Sequence, residues 1–377
     1  MSELQAVERM LCRATGRRHA LLVGNGTIGL TLCLQALGLA GRRVLLPDSS
    51  CLNVPLAVLH AGAVPDYAEV RLADLGLDAA RLDAPLRGAG ALLAVHGYGS
   101  PCDLVALQAR ADAAGCPLIE DACLALGGQG PGGRPLGGFG LASVLSFGAG
   151  KPVSLDHGGA VLTDDDALAA RLRALDAGLP AFSAGAQARI DTLGGEHTRL
   201  YNQHCLVGGD GEAGNGAAAA AAMAGFRRRA QAAGPDFGHR FDPARCAELA
   251  AALPGLAATV ALRQQRLQQL HEALAPWLGG ALQWLAPVPG AVPWRANLLV
   301  AAPPARDRLL RALHAAGLHA SSWHPPASDF LADAPAAHPV AGRIGREVLN
   351  LWLDARCTPA YRDAVCRVLD EQLAATA

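Results

Sequence analysis

The first 165 residues alternate short apolar runs with amphipathic stretches, and this alternation restricts the fold more than any other feature of the chain. The apolar runs have the length of buried strands, and the stretches between them have helical periodicity. Strands that alternate with helices indicate a mainly parallel sheet covered by helices on both faces. The predicted strands are 19–24, 42–47, 90–99, 116–121, 142–148 and 158–164, and the predicted helices are 27–41, 55–62 and 103–115.

The C-terminal part of the sequence predicts a second, smaller α/β domain. Residues 243–278 have the pattern of two helices that break near Pro254. A strand, a helix and a closing helix follow at 295–301, 305–320 and 358–377. We therefore predict a large domain over residues 1–245 and a small domain over residues 246–377.

Residues 195–237 differ from the rest of the large domain because they are rich in Gly and Ala. The alanine run at 217–222 is compatible with a helix, whereas the surrounding glycines favour a mobile insertion. The sequence predicts the mobile insertion.

Composition excludes several classes of protein. The formal net charge of the 377 residues is −1, so there is no basic field for nucleic acid and no polybasic membrane patch. The N-terminus has no signal-peptide core, and no uninterrupted apolar run has the length of a membrane span. These features predict a cytoplasmic protein. The ten cysteines contain no Cys-x-x-Cys pair, so we expect small core residues and no metal site.

Lys151 is the only lysine among the 32 basic residues that are Lys or Arg. Arginine replaces lysine readily in a solvated ion pair, and a compositional bias explains why the other lysines are missing. Arginine does not replace lysine where a neutral amine must act as a nucleophile. The retained Lys151 therefore indicates a chemical role.

The segment "LLVGNGTIGL" presents two alternatives. Gly24, Gly26 and Gly29 form G-x-G-x-x-G between a strand and a helix, with Asp48 after the next strand, as in NAD-dependent oxidoreductases. The same loop could hold a single phosphate through the helix N-terminus at Gly26 and Thr27.

A cofactor with one phosphate and an aldehyde, pyridoxal phosphate, explains more of the sequence than a dinucleotide. It needs an amine for a Schiff base, a carboxylate at its pyridine nitrogen and a phosphate cradle. Lys151 supplies the amine, and Asp121 at the end of a strand supplies the carboxylate. The cradle comes from Gly26, Thr27 and Ser146. All five residues follow predicted strands, at the edge of the sheet where ligands bind.

Five motifs in the correct order resemble the DegT/DnrJ/EryC1/StrS family of pyridoxal-phosphate-dependent sugar aminotransferases. They cover residues 15–175 well and residues 245–377 loosely. The motifs are "GNGTIGL", "VLLPDSSCLNVPLAVLHAGAVPDYAEV", "VHGYGSPCDL", "LIEDACLALGG" and "SFGAGKPVSLDHGGAVLTDD".

The resemblance implies a type I, aspartate aminotransferase-like fold with a mainly parallel seven-stranded sheet and a smaller C-terminal α/β domain. It implies a homodimer with shared active sites. It also implies transfer of an amino group from glutamate or glutamine to a keto-sugar or related ketone in a biosynthetic pathway. The cofactor-binding residues carried over from the family are Gly26, Thr27, Ile28, Cys51, Asp121, Leu124, Ser146, Lys151 and Arg240, and the substrate residues are His157 and His324.

The chain departs from the family pattern at several of these positions. Leu124 stands where a hydrogen-bonding Gln or His is usual, and Cys51 stands at a ring-stacking position that is often aromatic. His157 replaces an acid, and Arg240 or Asn202 replaces the asparagine that reaches the partner's site. These departures keep open a catalytically divergent or non-catalytic relative as an alternative to an active aminotransferase.

Overall fold

The computed structural model describes residues 2–204, 216–332 and 337–373, and its first feature is a seven-stranded sheet. The strands are β1 (His19–Val23), β2 (Arg43–Pro47), β3 (Val64–Ala68), β4 (Ala91–Val95), β5 (Leu118–Asp121), β6 (Ala142–Ser146) and β7 (Gly159–Thr163). Their order is β1-β7-β6-β5-β4-β2-β3, and β7 runs antiparallel to both of its neighbours. The remaining pairs are parallel, which confirms the mainly parallel seven-stranded sheet expected from the sequence.

Helices cover both faces of this sheet. The helices of this part of the chain are α1 (Glu3–Thr15), α2 (Gly26–Ala36), α3 (Asn53–His60), α4 (Leu104–Ala114), α5 (Asp166–Ala177), α6 (Ala184–His204), α7 (Gly216–Ala232) and α8 (Gly234–Phe237). Successive strand residues point to opposite faces, so each strand contributes to two cores. On β6, for example, Leu145 belongs to the core under α1, whereas Val144 belongs to the core under α2. This burial on both faces explains why the strands are continuously apolar.

The C-terminal part forms a four-stranded antiparallel sheet in the order β10-β11-β9-β8. Its strands are β8 (Leu282–Trp284), β9 (Arg295–Val300), β10 (Ala320–Ser321) and β11 (Val348–Trp352). The helices of this part are α9 (Cys246–Ala252), α10 (Leu256–Leu274), α11 (Pro303–Ala315), α12 (Ser328–Leu331), α13 (Pro339–Glu347) and α14 (Pro359–Leu373). A smaller α/β unit is therefore present, and the boundary at residue 245 stays a prediction.

One helical stretch within the described residues, Pro243–Trp277, is long and apolar enough to cross a membrane by length and composition alone. Arg245, Glu248 and Arg263 interrupt this stretch, so it contains no uninterrupted apolar run of the length of a membrane span. The stretch contains α9 and α10. Its apolar residues pack in two cores: Leu249 and Val260 in that of the large sheet, and Leu270 in that of the small sheet.

The described part of residues 195–237 is helical, so the expectation of a mobile insertion was wrong there. Phe226 and Ala230 of α7 pack with Leu56 of α3 and Phe330 of α12. This buried apolar contact outweighs the low helix propensity of the glycines. Residues 205–215 lie outside the described residues.

A buried carboxylate holds the region beside the end of β5 in place. Glu120 is fully buried and accepts four hydrogen bonds. The donors are His96 Nε2 at 2.9 Å, Gly137 N at 2.8 Å, Phe139 N at 2.7 Å and Ser143 Oγ at 2.8 Å. Burial alone would raise the pKa of Glu120, but these donors hold it below its usual value.

We expect Glu120→Ala to lower the free energy of unfolding by about 3–5 kcal/mol, because it leaves buried donors unpaired. Urea denaturation followed by circular dichroism measures the change. The matched control is Glu248→Ala, which removes an exposed carboxylate and should change stability by less than about 0.5 kcal/mol. Equal urea midpoints for the two variants would contradict this role of Glu120.

Candidate active site

A cavity of about 360 Å³ lies at the carboxyl edge of the large sheet. Because β1, β5 and β6 run in the same direction, the residues at or just after their C-terminal ends meet at this edge. Asn25, Asp121 and Ser146 stand at those positions. The cavity is also lined by Lys151, and the predicted amine and carboxylate therefore share one site.

One end of the cavity is the N-terminus of α2. Asn25 caps this helix, and its Oδ1 accepts the N–H of Ile28 at 2.8 Å. Gly26 and Thr27 form the first turn and line the cavity, where first-turn N–H groups have no partner inside the helix. Ser146 Oγ lies at the same end, since a Cβ atom on Gly26 would come within 3.1 Å of Ser146 Cβ.

Asp121 lies on the cavity wall and is oriented by the chain that follows it. Its Oδ1 accepts the N–H of Cys123 at 3.0 Å, and the residue is 8% exposed. Cys51 and Cys123 also line the cavity, and burial raises the pKa of both thiols. The positive charge of Lys151 lowers the pKa of both thiols and the negative charge of Asp121 raises it, although burial is the largest effect.

The loop that carries Lys151 follows β6, and hydrogen bonds hold its backbone in place. The N–H of Lys151 donates to Gly148 O at 3.2 Å. Arg263 Nη2, from α10, donates to the carbonyl oxygens of Gly150 at 3.0 Å and of Lys151 at 2.9 Å. Arg263 is 6% exposed, so this contact between α10 and the loop is shielded from water. The backbone of residue 151 is therefore held firmly while its side chain faces the cavity.

His157 is the only one of the two predicted substrate histidines that lines this cavity. Its ring stacks on Phe182 with 4.3 Å between centroids. Burial, followed by the positive charge of Arg245, lowers its pKa, which favours the neutral ring near pH 7. His157 Nε2 is buried and has no hydrogen-bond partner among the described residues.

His324 lies outside this cavity, but burial and the positive charge of Lys151 lower its pKa. Its backbone N–H donates to Tyr98 Oη at 2.7 Å, and its ring stacks on Trp294 with centroids 5.7 Å apart. Burial lowers the pKa of His324 to about 3, and the charges of Arg295 and Lys151 act in the same direction.

Three other predicted residues do not line the cavity. The Ile28 side chain is buried in the core beneath α2, and only its N–H belongs to the first turn. Leu124 is half-buried, and Cys123 takes its place on the cavity wall. Arg240 is exposed, and its charge acts on Asp176. Its role in a partner's site stays a prediction, and the side chain of Asn202 lies outside the described residues.

Sequence reasoning missed several lining residues, among them Asn25, Cys123, Gln187 and Asp191. The helix-capping pattern could have identified Asn25, and the position of Cys123 two residues after Asp121 was a weaker signal. Gln187 and Asp191 come from α6, and nothing in the local sequence connects that helix with the site.

Asp48, the residue that a dinucleotide would need for its ribose, is occupied by protein contacts. Its carboxylate is 1% exposed and accepts bonds from Ser328 N at 2.8 Å, Ser328 Oγ at 2.9 Å and His338 Nδ1 at 2.7 Å. Gly29 has a packing role, since a Cβ atom there would come within 3.2–3.3 Å of Val23, Val144 and Val161. The fingerprint therefore reflects close packing of α2 on the sheet.

Known structures share this fold over nearly the whole chain. TlmJ from Streptoalloteichus hindustanus, an aminotransferase, is 23% identical with a TM-score of 0.78, and the match covers 100% of this chain and 92% of that one. NtdA from Bacillus subtilis, solved with bound cofactor PMP, is 18% identical with a TM-score of 0.75 over 99% and 78%. DesI, solved with its TDP-sugar product, is 24% identical with a TM-score of 0.74 over 99% and 87%.

The fold and the site together define a pyridoxal-phosphate-dependent aminotransferase of type I fold. The model of the DegT/DnrJ/EryC1/StrS aminotransferase family matches residues 2–210, more than half of the sequence. The chain belongs to that family. The nicotinamide alternative was therefore wrong.

The residues around the cavity fit the cofactor. A Cβ atom at Gly26 would come within 3.1 Å of Cys123 Sγ, so glycine keeps this end of the cavity open. The first turn of α2 offers N–H donors to a phosphate, and His157, whose Nε2 lies 3.8 Å from Asp242 Oδ2, is a further polar residue of the lining. Lys151 is the sole side-chain amine of the protein.

Proposed function

We propose that this protein transfers an amino group from glutamate or glutamine to a keto-sugar or a related ketone in a biosynthetic pathway. The observation that carries the proposal is the presence of the Lys151 amine and the Asp121 carboxylate in one cavity, beside the helix N-terminus at Gly26. The TDP-sugar product that names the DesI structure supports the choice of a sugar acceptor. We further propose a homodimer in the cytoplasm.

The predicted cofactor residues that line the cavity each have a part in this proposal. Pyridoxal phosphate supplies an aldehyde that condenses with amines and a ring that accepts electron density from the substrate carbon. Lys151 Nζ would hold the cofactor through its aldehyde carbon and would carry a proton to and from the substrate carbon. Asp121 keeps a proton on the ring nitrogen. The N–H groups of Gly26 and Thr27, with the Ser146 hydroxyl, bind the phosphate.

The less usual residues shape the site around these groups. Cys51 and Cys123 give the cavity a narrow wall of small, polarisable side chains in place of an aromatic ring. His157 lines the cavity with a ring whose lowered pKa favours the neutral form, and we assign it to substrate. We assign Ile28, Leu124 and Arg240 to the cofactor's surroundings, with Arg240 acting in the partner's site, and His324 to substrate.

The decisive experiment follows a labelled nitrogen atom. The purified protein with pyridoxal phosphate is incubated with α-¹⁵N-glutamate or α-¹⁵N-glutamine and nucleotide-linked keto-hexoses, a cyclitol ketone or pyruvate. Mass spectrometry should detect one ¹⁵N in an amino sugar or aminocyclitol, and the donor's 2-oxo acid in equal amount. Omission of the cofactor is the control. Transfer to pyruvate alone would refute the sugar acceptor, and bound cofactor without any transfer would support the non-catalytic alternative.

A further inference from the structure

A second, smaller cavity of about 140 Å³ lies against the loop that carries Lys151. We call it the arginine pocket, because Arg263, Arg295 and Arg356 line it. Ala149 lines both the arginine pocket and the larger cavity, and Gly150 lines the arginine pocket next to Lys151. The two cavities therefore adjoin at Ala149.

Arg295 is held in a fixed orientation at the start of β9. Its guanidinium carbon lies 3.8 Å from the ring centroid of Trp294 and 3.5 Å from that of Trp352. A further hydrogen bond runs from Nη1 to Ser321 Oγ. Stacking between two indole rings leaves the edge of the planar guanidinium as the face that can donate to a ligand. The side chain is thus prepared for a planar or tetrahedral anion before one arrives.

Arg263 brings a buried positive charge to the same pocket. Its Nη2 is occupied by the carbonyl oxygens of Gly150 and Lys151, as described above. Its Nη1 is buried and has no hydrogen-bond partner among the described residues, although the residue is only 6% exposed. A buried guanidinium without an ion-pair partner is costly, and an anion in the pocket would offset its charge.

The charges of the pocket do not cancel within the protein. Asp354 is the acidic residue of the lining, and it is paired with Arg356, whose Nε lies 2.9 Å and 3.1 Å from the two carboxylate oxygens. Arg263 and Arg295 are left without a carboxylate partner in the lining. The pocket therefore carries a net positive charge in a partly buried setting, where electrostatic attraction is strong.

We propose that the arginine pocket binds the anionic group of a substrate while the reacting atom of that substrate lies at Lys151. This inference rests on the proposed function, and it identifies the arginine pocket as the part of the site that selects the substrate. Two substrates could supply the anion: the amino donor through a carboxylate, and a nucleotide-linked ketone through a phosphate. The volume of about 140 Å³ suits an amino acid and is small for a nucleotide. The donor's carboxylate is therefore the expected occupant.

Binding of unreactive anions tests this inference without turnover. Isothermal titration calorimetry of the cofactor-loaded protein uses glutarate as the carboxylate probe and pyrophosphate as the phosphate probe. We expect glutarate to bind, and Arg295→Gln to raise its Kd about 10- to 100-fold through loss of a charged hydrogen-bond donor. Binding of pyrophosphate alone, with the same dependence on Arg295, would assign the pocket to the acceptor's phosphate. The inference is overturned if neither probe binds, or if each binds wild type and variant equally.

The matched control is Arg266→Gln on the same helix as Arg263. Arg266 bonds the carbonyl oxygen of Leu353 and does not line the pocket, so glutarate affinity should change by less than about twofold. If Arg295→Gln fails to fold, the exposed Arg356→Gln provides the second variant, with an expected rise in Kd of about 3- to 10-fold.

The two proposals fail in different ways. Glutarate binding that depends on Arg295, together with no ¹⁵N transfer to any ketone, would refute the proposed reaction and leave the anion pocket in place. Transfer of ¹⁵N by an enzyme whose KM for glutamate is the same in wild type and Arg295→Gln would refute the pocket for the donor. A KM that rises at least about tenfold with a nearly constant kcat is the kinetic result expected of a binding residue.

Discussion

Replacement of Lys151 by Arg is expected to abolish aminotransferase activity, with kcat falling by about 1,000-fold or more. The guanidinium group stays protonated in proteins, so it neither forms a covalent bond with the aldehyde nor takes a proton from the substrate carbon. Borohydride reduction followed by peptide mass spectrometry should find the cofactor on Lys151 in the wild type and on no residue of the variant. Activity is measured with the best donor and acceptor from the nitrogen-transfer experiment.

Because the sequence has no other lysine, a control variant can place a single lysine at a chosen position away from the cavity. The double variant Lys151→Arg with Arg9→Lys places one lysine on the exposed face of α1. We expect neither the label nor the activity to return, because Arg9 lies on a helix away from the cavity lining. Labelling of residue 9, or normal turnover by Lys151→Arg, would show that position 151 has no special chemical role.

Asp121→Asn is expected to lower kcat by about 100- to 1,000-fold while the protein stays folded. An amide does not keep a positive charge on the pyridine nitrogen, so the ring becomes a weaker electron acceptor. The amide oxygen of the variant can still accept the N–H of Cys123, which Asp121 Oδ1 accepts at 3.0 Å, so the turn after β5 should be retained. Steady-state kinetics and the thermal unfolding midpoint measure the two effects separately.

The matched control is Asp165→Asn, the same chemical change at the opposite edge of the sheet. Asp165 caps α5 by accepting the N–H of Leu168, and asparagine caps helices as well as aspartate does. Its kcat should remain within about twofold of the wild type. If the two variants lose activity equally, or Asp121→Asn remains fully active, Asp121 does not serve the ring nitrogen.

Much of the fold was predictable because its signals are local. The strands of the large sheet are buried on both faces, so their apolar runs stand out between helices. The Gly/Ala-rich segment was misjudged because its helix α7 is stabilised by Phe226, which packs against residues distant in sequence. Local propensity does not include that contact.

The candidate site was predictable to the extent that its residues follow strands. Asp121 and Ser146 end β5 and β6, and parallel topology brings such positions to one edge. Asp48 also follows a strand, and it was a candidate for ribose binding. The structure instead pairs it with Ser328 and His338, some 280 and 290 residues away in the chain.

The sequence by itself determined the alternation of strands and helices, the glycine loop that begins α2 and the retained amine at position 151, because each depends on neighbouring residues or on side-chain chemistry. Only the tertiary structure decided what surrounds that amine. Arg263 reaches the Lys151 loop from α10, and Arg295 is held between Trp294 and Trp352 of the small sheet. These contacts join segments that are far apart in the chain, and no local pattern specifies which side chains then meet.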